Sequence, residues 1–267
     1  MNVVNVILVF LVGLCVGSFI NVCIYRMPRK ISLIKRRSFC VHCEETIPLH
    51  YNIPLISWPM IQGRCRRCKQ KVAIRYPLIE LFTALLFLAS WVLLPAPEAI
   101  IGMVFLSILI VASFIDYEHT MIPDRLTMGG FGMGILLMGI VPNWNGSLDI
   151  GASVDGVFQA LMGGLIGSGI LLWVALLSER MMSREGLGLG DIKFMGCIGA
   201  FCGWKGAVFT IFGGAVLGSF LVLPFLLWKH GKPCWTKAVP FGPFLAAAGA
   251  AYYLGLKSYI DPFFQFL

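Results

Sequence analysis

Long apolar runs dominate this sequence and restrict the folds that are open to it. Hydrophobic residues make up 58% of the 267 positions and charged residues only 13%, and the mean hydropathy is +0.84. A soluble domain of this length cannot bury so much apolar surface. Several windows reach or approach the roughly 20 apolar residues that cross a hydrocarbon core as a helix. The sequence therefore predicts an all-α, polytopic membrane protein.

We expect about eight transmembrane helices. The first lacks a preceding basic stretch, so we expect it to remain as a membrane helix and not to be cleaved as a signal peptide. The fourth and sixth are short and rich in glycine. The predicted organisation is a first helix over 1–24, a cytosolic polar segment over 25–76 and a helical core over 77–267. The predicted spans are 3–23, 77–95, 98–115, 126–141, 154–177, 191–203, 206–228 and 240–256.

The distribution of Lys and Arg orients these spans. With the N-terminus outside, 19 of the 21 basic residues fall on the inner side, and only Lys205 and Lys257 fall outside. Such an excess marks the cytoplasmic face of a membrane protein. An even number of spans then places both termini on the periplasmic side. The net charge of +8 follows from this topology and from contact with the lipid bilayer, so we expect no nucleic-acid partner.

Four cysteines stand in the polar segment as two C-x2-C pairs, Cys40 with Cys43 and Cys65 with Cys68, separated by 21 residues. Paired thiolates at this spacing are typical of a tetrahedral zinc site. Two disulfides or unused thiols are the alternatives, and a reducing cytosol disfavours the disulfides. Four sulfurs leave no open position for water. We therefore expect one structural Zn²⁺ that stabilises a segment with little core of its own.

Two aspartates stand at the ends of predicted spans. In the topology above, Asp116 closes the third span and Asp191 opens the sixth, on the same side and at the same depth. Carboxylates at such a depth are costly and indicate function. A close pair can share one proton, so that one member accepts a proton from an attacking water while the other donates to a peptide carbonyl. Glycines at 186, 188 and 190 would let a substrate backbone approach.

Simpler roles remain open for the same residues. Asp191 could cap its helix, and Asp116 could pair with an arginine. Asp124 follows a proline and is expected to be an N-cap, with an accessory role as the alternative. Lys193 could tune the two aspartates or face lipid headgroups.

The chain resembles the type IV prepilin peptidases, which are GxGD-type aspartic membrane proteases. The resemblance rests on the four cysteines and on the stretches "GSFINVCIYRMP" (17–28), "RYPLIE" (75–80), "IDYEHTMIPD" (115–124), "GLGLGDIK" (186–193) and "VPFGPFLAAAG" (239–249). It implies that Asp116 and Asp191 are the catalytic pair and that Gly188 and Gly190 complete the G-x-G-D motif. It also implies that the cysteines belong to the larger, bifunctional form.

The resemblance further implies two reactions. The enzyme would cut a short basic leader from prepilins or type II secretion pseudopilins at the cytosolic face of the bacterial inner membrane. It would then methylate the new N-terminal amine with S-adenosylmethionine. Arg75 and Glu80 are candidates for the methyl-transfer site, although Glu80 could equally pair with Arg75. A membrane scaffold that recruits a cytosolic partner and an ion transporter are the competing classes, and the oligomeric state is open.

Overall fold

The computed structural model describes residues 2–34, 38–48, 51–141, 149–182, 188–228 and 240–265. Within these ranges the chain is helical, with two isolated β-bridges and no strand. A π-helical turn, Tyr252–Leu256, precedes the last α-helix, and a 3₁₀ turn, Asp261–Gln265, follows it. The α-helices are α1 (Val3–Arg26), α2 (Ser57–Met60), α3 (Arg75–Leu93), α4 (Ala96–His119), α5 (Asp124–Ile140), α6 (Ile150–Met182), α7 (Leu189–Trp228), α8 (Gly242–Ala251) and α9 (Lys257–Ile260).

Five of the described helices are long and apolar enough to cross a bilayer: α1, α3, α4, α6 and α7. This confirms a helical, multi-pass protein. The predicted fourth span corresponds to α5, which has 17 residues, and the predicted eighth begins near α8, which has 10. The predicted sixth and seventh spans both fall within α7. The count of eight therefore stays a prediction.

The helix α7 is interrupted at Gly203, where φ is 69° and ψ is 178°. Such a positive φ favours glycine. The chain reverses here, because a Cβ built on Gly167 of α6 would lie 3.1 Å from the Ala207 Cβ and 3.2 Å from the Met195 carbonyl oxygen. In a straight helix, residues 195 and 207 would be roughly 18 Å apart. Gly203 thus coincides with the boundary expected between the sixth and seventh spans.

The chain divides into two compact units, 1–111 and 112–267. In the first unit, α1 packs on α3 through two glycines one turn apart. A Cβ on Gly13 would come 2.6 Å from the Ala84 Cα, and one on Gly17 would come 2.7 Å from the Glu80 Cα. Small residues allow helix backbones to approach closely in lipid, where packing replaces the hydrophobic drive. The three-part division predicted from the sequence stays a prediction.

The second unit is organised around α7, which packs against α5, α6 and α8. Glycines also line the contact between α6 and α7. A Cβ on Gly163 of α6 would come 2.1 Å from the Gly199 carbonyl oxygen, and one on Gly199 would come 2.2 Å from the Gly163 carbonyl oxygen. This contact holds the first half of α7, from Asp191 to Gly203, against α6.

Candidate active site and metal centre

The C-terminal end of α4 presents Asp116 in a buried position, with 5% of the residue exposed. The first residue of α8, Gly242, donates its N–H to the Asp116 Oδ2 at 2.9 Å. The first N–H groups of a helix have no partner inside it, so the carboxylate caps α8. A Cβ on Gly242 would lie 2.7 Å from the same oxygen. This close approach therefore requires glycine.

The other aspartate, Asp191, is the third residue of α7. Its N–H donates to the Gly188 carbonyl at 3.1 Å, and its carboxylate accepts the Gly188 N–H. Asp191 therefore does hold the start of its own helix, as the simpler alternative supposed. It also lies within electrostatic reach of Asp116. The structure brings the two predicted carboxylates into one site, formed by the end of α4 and the starts of α7 and α8.

The glycines of the motif border this site. A Cβ on Gly190 would lie 3.4 Å from Ile122, in the loop before α5. Among the described residues, the atom nearest to a Cβ on Gly188 is the Asp191 Oδ2, 3.6 Å away. Gly186, the first glycine of the stretch, lies outside the described residues.

The expected N-cap role of Asp124 is wrong. Pro123 occupies the cap position with φ −64° and ψ 131°, so Asp124 is the first residue of α5. Instead, Lys193 Nζ donates to Asp124 Oδ1 at 2.7 Å. Lys193 therefore bonds to Asp124, which joins the start of α5 to that of α7 beside Asp191. Both side chains are partly exposed, so the pair contributes at most about 1 kcal/mol to stability.

The four cysteines of the polar segment converge, and their sulfur atoms all lie within 4.8 Å of one another. The Sγ atoms of Cys40 and Cys68 are 3.8 Å apart, and those of Cys43 and Cys65 are 4.0 Å apart. A tetrahedral Zn²⁺ with Zn–S bonds of about 2.3 Å requires sulfur separations of about 3.8 Å. The two measured separations match this value, and the four sulfur atoms are close enough to bind one Zn²⁺ after small shifts.

Each C-x2-C pair lies in a tight knuckle, and the two knuckles share one hydrogen-bond pattern. Cys40 N–H donates to the carbonyl five residues later, and the N–H four residues later donates back to the Cys40 carbonyl, each at 2.9 Å. Cys65 repeats both bonds at the same distances. The residue after each second cysteine has a positive φ, 54° at Glu44 and 57° at Lys69. The sequence analysis missed this repeat, since neither position is glycine.

Electrostatics within the second knuckle favour a thiolate. The N–H groups of Cys68 and Arg67 bond the Cys65 sulfur and lower its pKa to about 6. Arg67 also forms an ion pair with Glu45 of the first knuckle. The lowered pKa prepares the cluster for a cation, because zinc binds the deprotonated sulfur, and the ion pair joins the two knuckles.

Glu80 lies on α3 with 9% of the residue exposed. Its Oε2 accepts the Leu55 N–H at 2.8 Å, and Ser18 also bonds to it. Leu55 has a φ of 60°, so the loop is bent to make this contact. The Arg75 guanidinium, at the start of the same helix, lies 5.6 Å from the Tyr76 ring centre. The pairing of Glu80 with Arg75 stays an alternative.

Asn21 lies on the same seam between α1 and α3, one turn from Gly17. Its Nδ2 donates to the Tyr76 carbonyl at 3.1 Å, but its buried Oδ1 has no partner within the described part of the chain. A buried acceptor without a donor is costly. The contact between α1 and α3 therefore contains two oxygen acceptors, from Asn21 and Glu80, that suit an amine or another cationic group.

Known proteins similar to this chain resolve which kind of enzyme carries these two sites. The bacterial peptidase A24 N-terminal domain matches residues 11–94, and the type IV leader peptidase family matches residues 103–223. A prepilin leader peptidase/N-methyltransferase of Aeromonas hydrophila is 32% identical, covering 91% of this chain and 88% of the relative. The chain belongs to the type IV leader peptidase family.

Two further members of the type IV leader peptidase family show the same relationship. The type 4 prepilin-like proteins leader peptide-processing enzyme of Escherichia coli O78:H11 is 36% identical over 90% of both chains. The prepilin leader peptidase/N-methyltransferase of Myxococcus xanthus is 34% identical over 81% of this chain and 63% of the relative. No solved structure matches the chain.

Membership of the type IV leader peptidase family confirms the resemblance drawn from the motifs. It also confirms the prediction of an enzyme that combines a peptidase with an N-methyltransferase. Membership favours the enzyme over the scaffold and the transporter. The roles of the individual site residues stay predictions.

Proposed function

We propose that this chain removes the short basic leader from prepilins or pseudopilins and then methylates the new N-terminal amine with S-adenosylmethionine. The observation that carries the proposal is that Asp116 and Asp191, at the ends of two helices, lie within electrostatic reach of each other. Membership of the leader peptidase family supports the choice of substrate.

In the proposed cleavage, the two carboxylates share one proton. The ionised member takes a proton from water as the water attacks the scissile carbonyl, and the protonated member donates to the carbonyl oxygen. The proton is then returned to the departing amine. The Gly242 N–H holds the Asp116 carboxylate in place. The lack of a side chain at Gly188, beside the Asp191 carboxylate, would let the substrate backbone approach.

We further propose that the protein has eight spans in the bacterial inner membrane, with both termini on the periplasmic side. The charge bias supports this orientation, because 19 of 21 basic residues fall on the inner side. The Asp116 and Asp191 site would then face the cytosol. A basic leader lies there beside the membrane-inserted helix of its pilin.

The cysteine cluster is proposed to hold one structural Zn²⁺. Four sulfurs would fill all positions of a tetrahedral ion and leave none for water. The surrounding segment forms few regular elements, with the short helix α2 and two isolated bridges among its described residues. The role of the ion would be to hold the two knuckles together.

The methyl-transfer site is proposed to lie on the seam between α1 and α3. S-adenosylmethionine would supply a methyl group on a positively charged sulfur. The carboxylate of Glu80 and the free Oδ1 of Asn21 fit a cationic donor and an amine acceptor. Arg75, at the start of α3, is a candidate contact for the carboxylate of the donor.

The test of the proposed function is incubation of the purified full chain with a prepilin in detergent. Mass spectrometry should show loss of the leader and, with S-adenosylmethionine present, a gain of one methyl group on the product. An intact prepilin after incubation with well-folded protein would contradict the peptidase assignment. A cleaved but unmethylated product would contradict the second activity.

Gly242→Ala should lower the cleavage rate by about 10²-fold, because the added Cβ would lie 2.7 Å from the Asp116 Oδ2 and displacement of a catalytic group by about 1 Å costs that much. Gly132→Ala is the matched control, since its Cβ would meet nothing within 4 Å. Initial rates and thermal unfolding midpoints should be measured for both. Equal rates would show that the contact with Gly242 does not position Asp116.

Cleavage and methyl transfer should be separable. Methyl transfer needs a neutral amine aligned with the donor and gains mostly from orientation, so it has no use for an aspartate pair. Asp116→Asn should fail on intact prepilin yet methylate a pilin that already lacks its leader. Glu80→Gln should accumulate cleaved, unmethylated pilin. Mass spectrometry of intact prepilin and of leaderless pilin after incubation measures both reactions. If folded Asp116→Asn protein does not methylate leaderless pilin, one site serves both reactions.

A further inference from the structure

A cavity of about 340 Å³ lies at the opposite end of the second unit from the aspartates. It is lined by the end of α5, the start of α6, the reversal at Gly203 and the segment from Tyr252 to Asp261. Asp191 is separated from Gly203 by 12 positions along α7, which corresponds to roughly 18 Å of helix. The cavity is thus distinct from the candidate active site.

The charges around this cavity leave an excess of one positive charge. Among the described residues, Lys205 and Lys257 line it together with one acidic residue, Asp261. Tyr252 donates its hydroxyl to Asp261 Oδ1 at 2.6 Å, and Lys205 Nζ donates to the Asp261 backbone carbonyl at 3.5 Å. In the described part of the chain, neither lysine forms an ion pair. Both lysines therefore line the cavity without a carboxylate partner of their own among the described residues.

The walls of the cavity combine these charges with apolar and aromatic surface. Met138 and Phe201 line it, and the Trp204 indole borders it, stacked edge-on against Phe264 with ring centres 5.6 Å apart. Tryptophan is enriched where a membrane protein meets the headgroup layer. The π-helical turn at Tyr252–Leu256 ends directly before Lys257, and such turns occur frequently at functional sites.

The sequence distribution of charge makes the two lysines unusual. They are the only two of the 21 basic residues that the predicted topology leaves on the outer side. Basic residues are disfavoured on that side, and yet these two, 52 positions apart in the sequence, line one cavity. A shared anionic ligand at the membrane boundary accounts for their convergence.

We propose that this cavity binds the phosphate group of an anionic phospholipid of the outer leaflet, with Lys205 and Lys257 as its cationic contacts. A phosphodiester carries one negative charge and matches the local excess. Basic pockets between membrane helices bind such headgroups, and the apolar wall suits the attached glycerol and acyl carbons. The proposal does not depend on the peptidase chemistry, and it uses the proposed orientation to name the leaflet and to mark the two lysines as exceptions among the basic residues.

Native mass spectrometry of the full chain in a non-ionic detergent tests this site. The probes are phosphatidylglycerol, phosphatidylcholine with the same acyl chains, and inorganic phosphate. We expect one phosphatidylglycerol to be retained per chain in preference to phosphatidylcholine. Lys205→Gln with Lys257→Gln should weaken that binding roughly 30-fold, since each lysine contributes about 1 kcal/mol at a membrane surface.

The control is Lys30→Gln with Lys71→Gln, which removes the same charge from two exposed positions outside the cavity. It should keep the affinity of the unaltered chain. Lys205→Arg with Lys257→Arg keeps both positive charges and should still bind phosphatidylglycerol. This variant keeps the proposal testable if the Gln double variant does not fold. Equal binding of both lipids, or equal losses in the two Gln pairs, would overturn the proposal. Displacement of the lipid by an equal concentration of inorganic phosphate would overturn it in favour of a soluble anion.

Discussion

Asp191→Asn is expected to lower the rate of prepilin cleavage by roughly 10³-fold, within the range found when general acid–base catalysis is removed. Asparagine keeps the size of the side chain and can still bond at the start of α7, but it cannot exchange a proton with water. Asp116→Asn should cause a loss of similar size. Leader removal should be followed by mass spectrometry over initial rates with purified, folded protein.

The double variant shows whether the two aspartates act as one catalytic unit or contribute independently to the rate. If both carboxylates share one proton, Asp116→Asn with Asp191→Asn should be little slower than either single change, because the effects within a catalytic unit are not additive. Asp155→Asn is the control, since Asp155 is an exposed carboxylate on α6. Near-normal cleavage by Asp191→Asn would remove that residue from the mechanism. Multiplied losses in the double variant would contradict proton sharing.

Cys40→Ser with Cys43→Ser should abolish zinc binding. The unaltered chain is expected to contain about one Zn²⁺, measured by elemental analysis of the purified protein, and the double variant none. Structural zinc supplies on the order of 10 kcal/mol or more of apparent binding free energy to small domains. Without it, the two knuckles should separate, and limited proteolysis should cut within residues 25–76.

Cys15→Ser serves as the control for this change, because Cys15 is an exposed cysteine outside the cluster. It should leave unaltered both the zinc content and the sensitivity of residues 25–76 to limited proteolysis. Retention of stoichiometric metal by the Cys40 and Cys43 variant would refute the ligand assignment. Loss of metal without increased proteolysis would refute the structural role of the ion.

The sequence was sufficient for features that depend on spacing and on counting. Two C-x2-C pairs in a polar segment predicted a four-sulfur cluster, and the sulfur atoms do converge. Counting spans placed Asp116 and Asp191 at the same membrane face. A carboxylate that ends one span and another that opens a span on the same side can meet whenever the helices pack side by side, and here they lie within electrostatic reach.

Contacts made by backbone groups could not be found in this way. The partner of Asp116 is the N–H of Gly242, 126 residues away, and that of Glu80 is the N–H of Leu55 in an irregular loop. Every residue except proline carries such a donor, so side-chain patterns do not reveal which one is used. The N-cap expected at Asp124 was wrong because α5 starts at Asp124 itself, one residue earlier than a cap at that position requires.

The hydrogen bond between Gly242 and Asp116 also orders the biogenesis of the enzyme. Gly242 follows α4 and α7 in the sequence, so the backbone donor for Asp116 is not yet present while these helices are synthesised. The bond can form only when most of the chain has been made. On the proposed assignment, nascent chains and fragments that stop before α8 contain Asp116 without this bond, so its carboxylate is not yet held in its catalytic position.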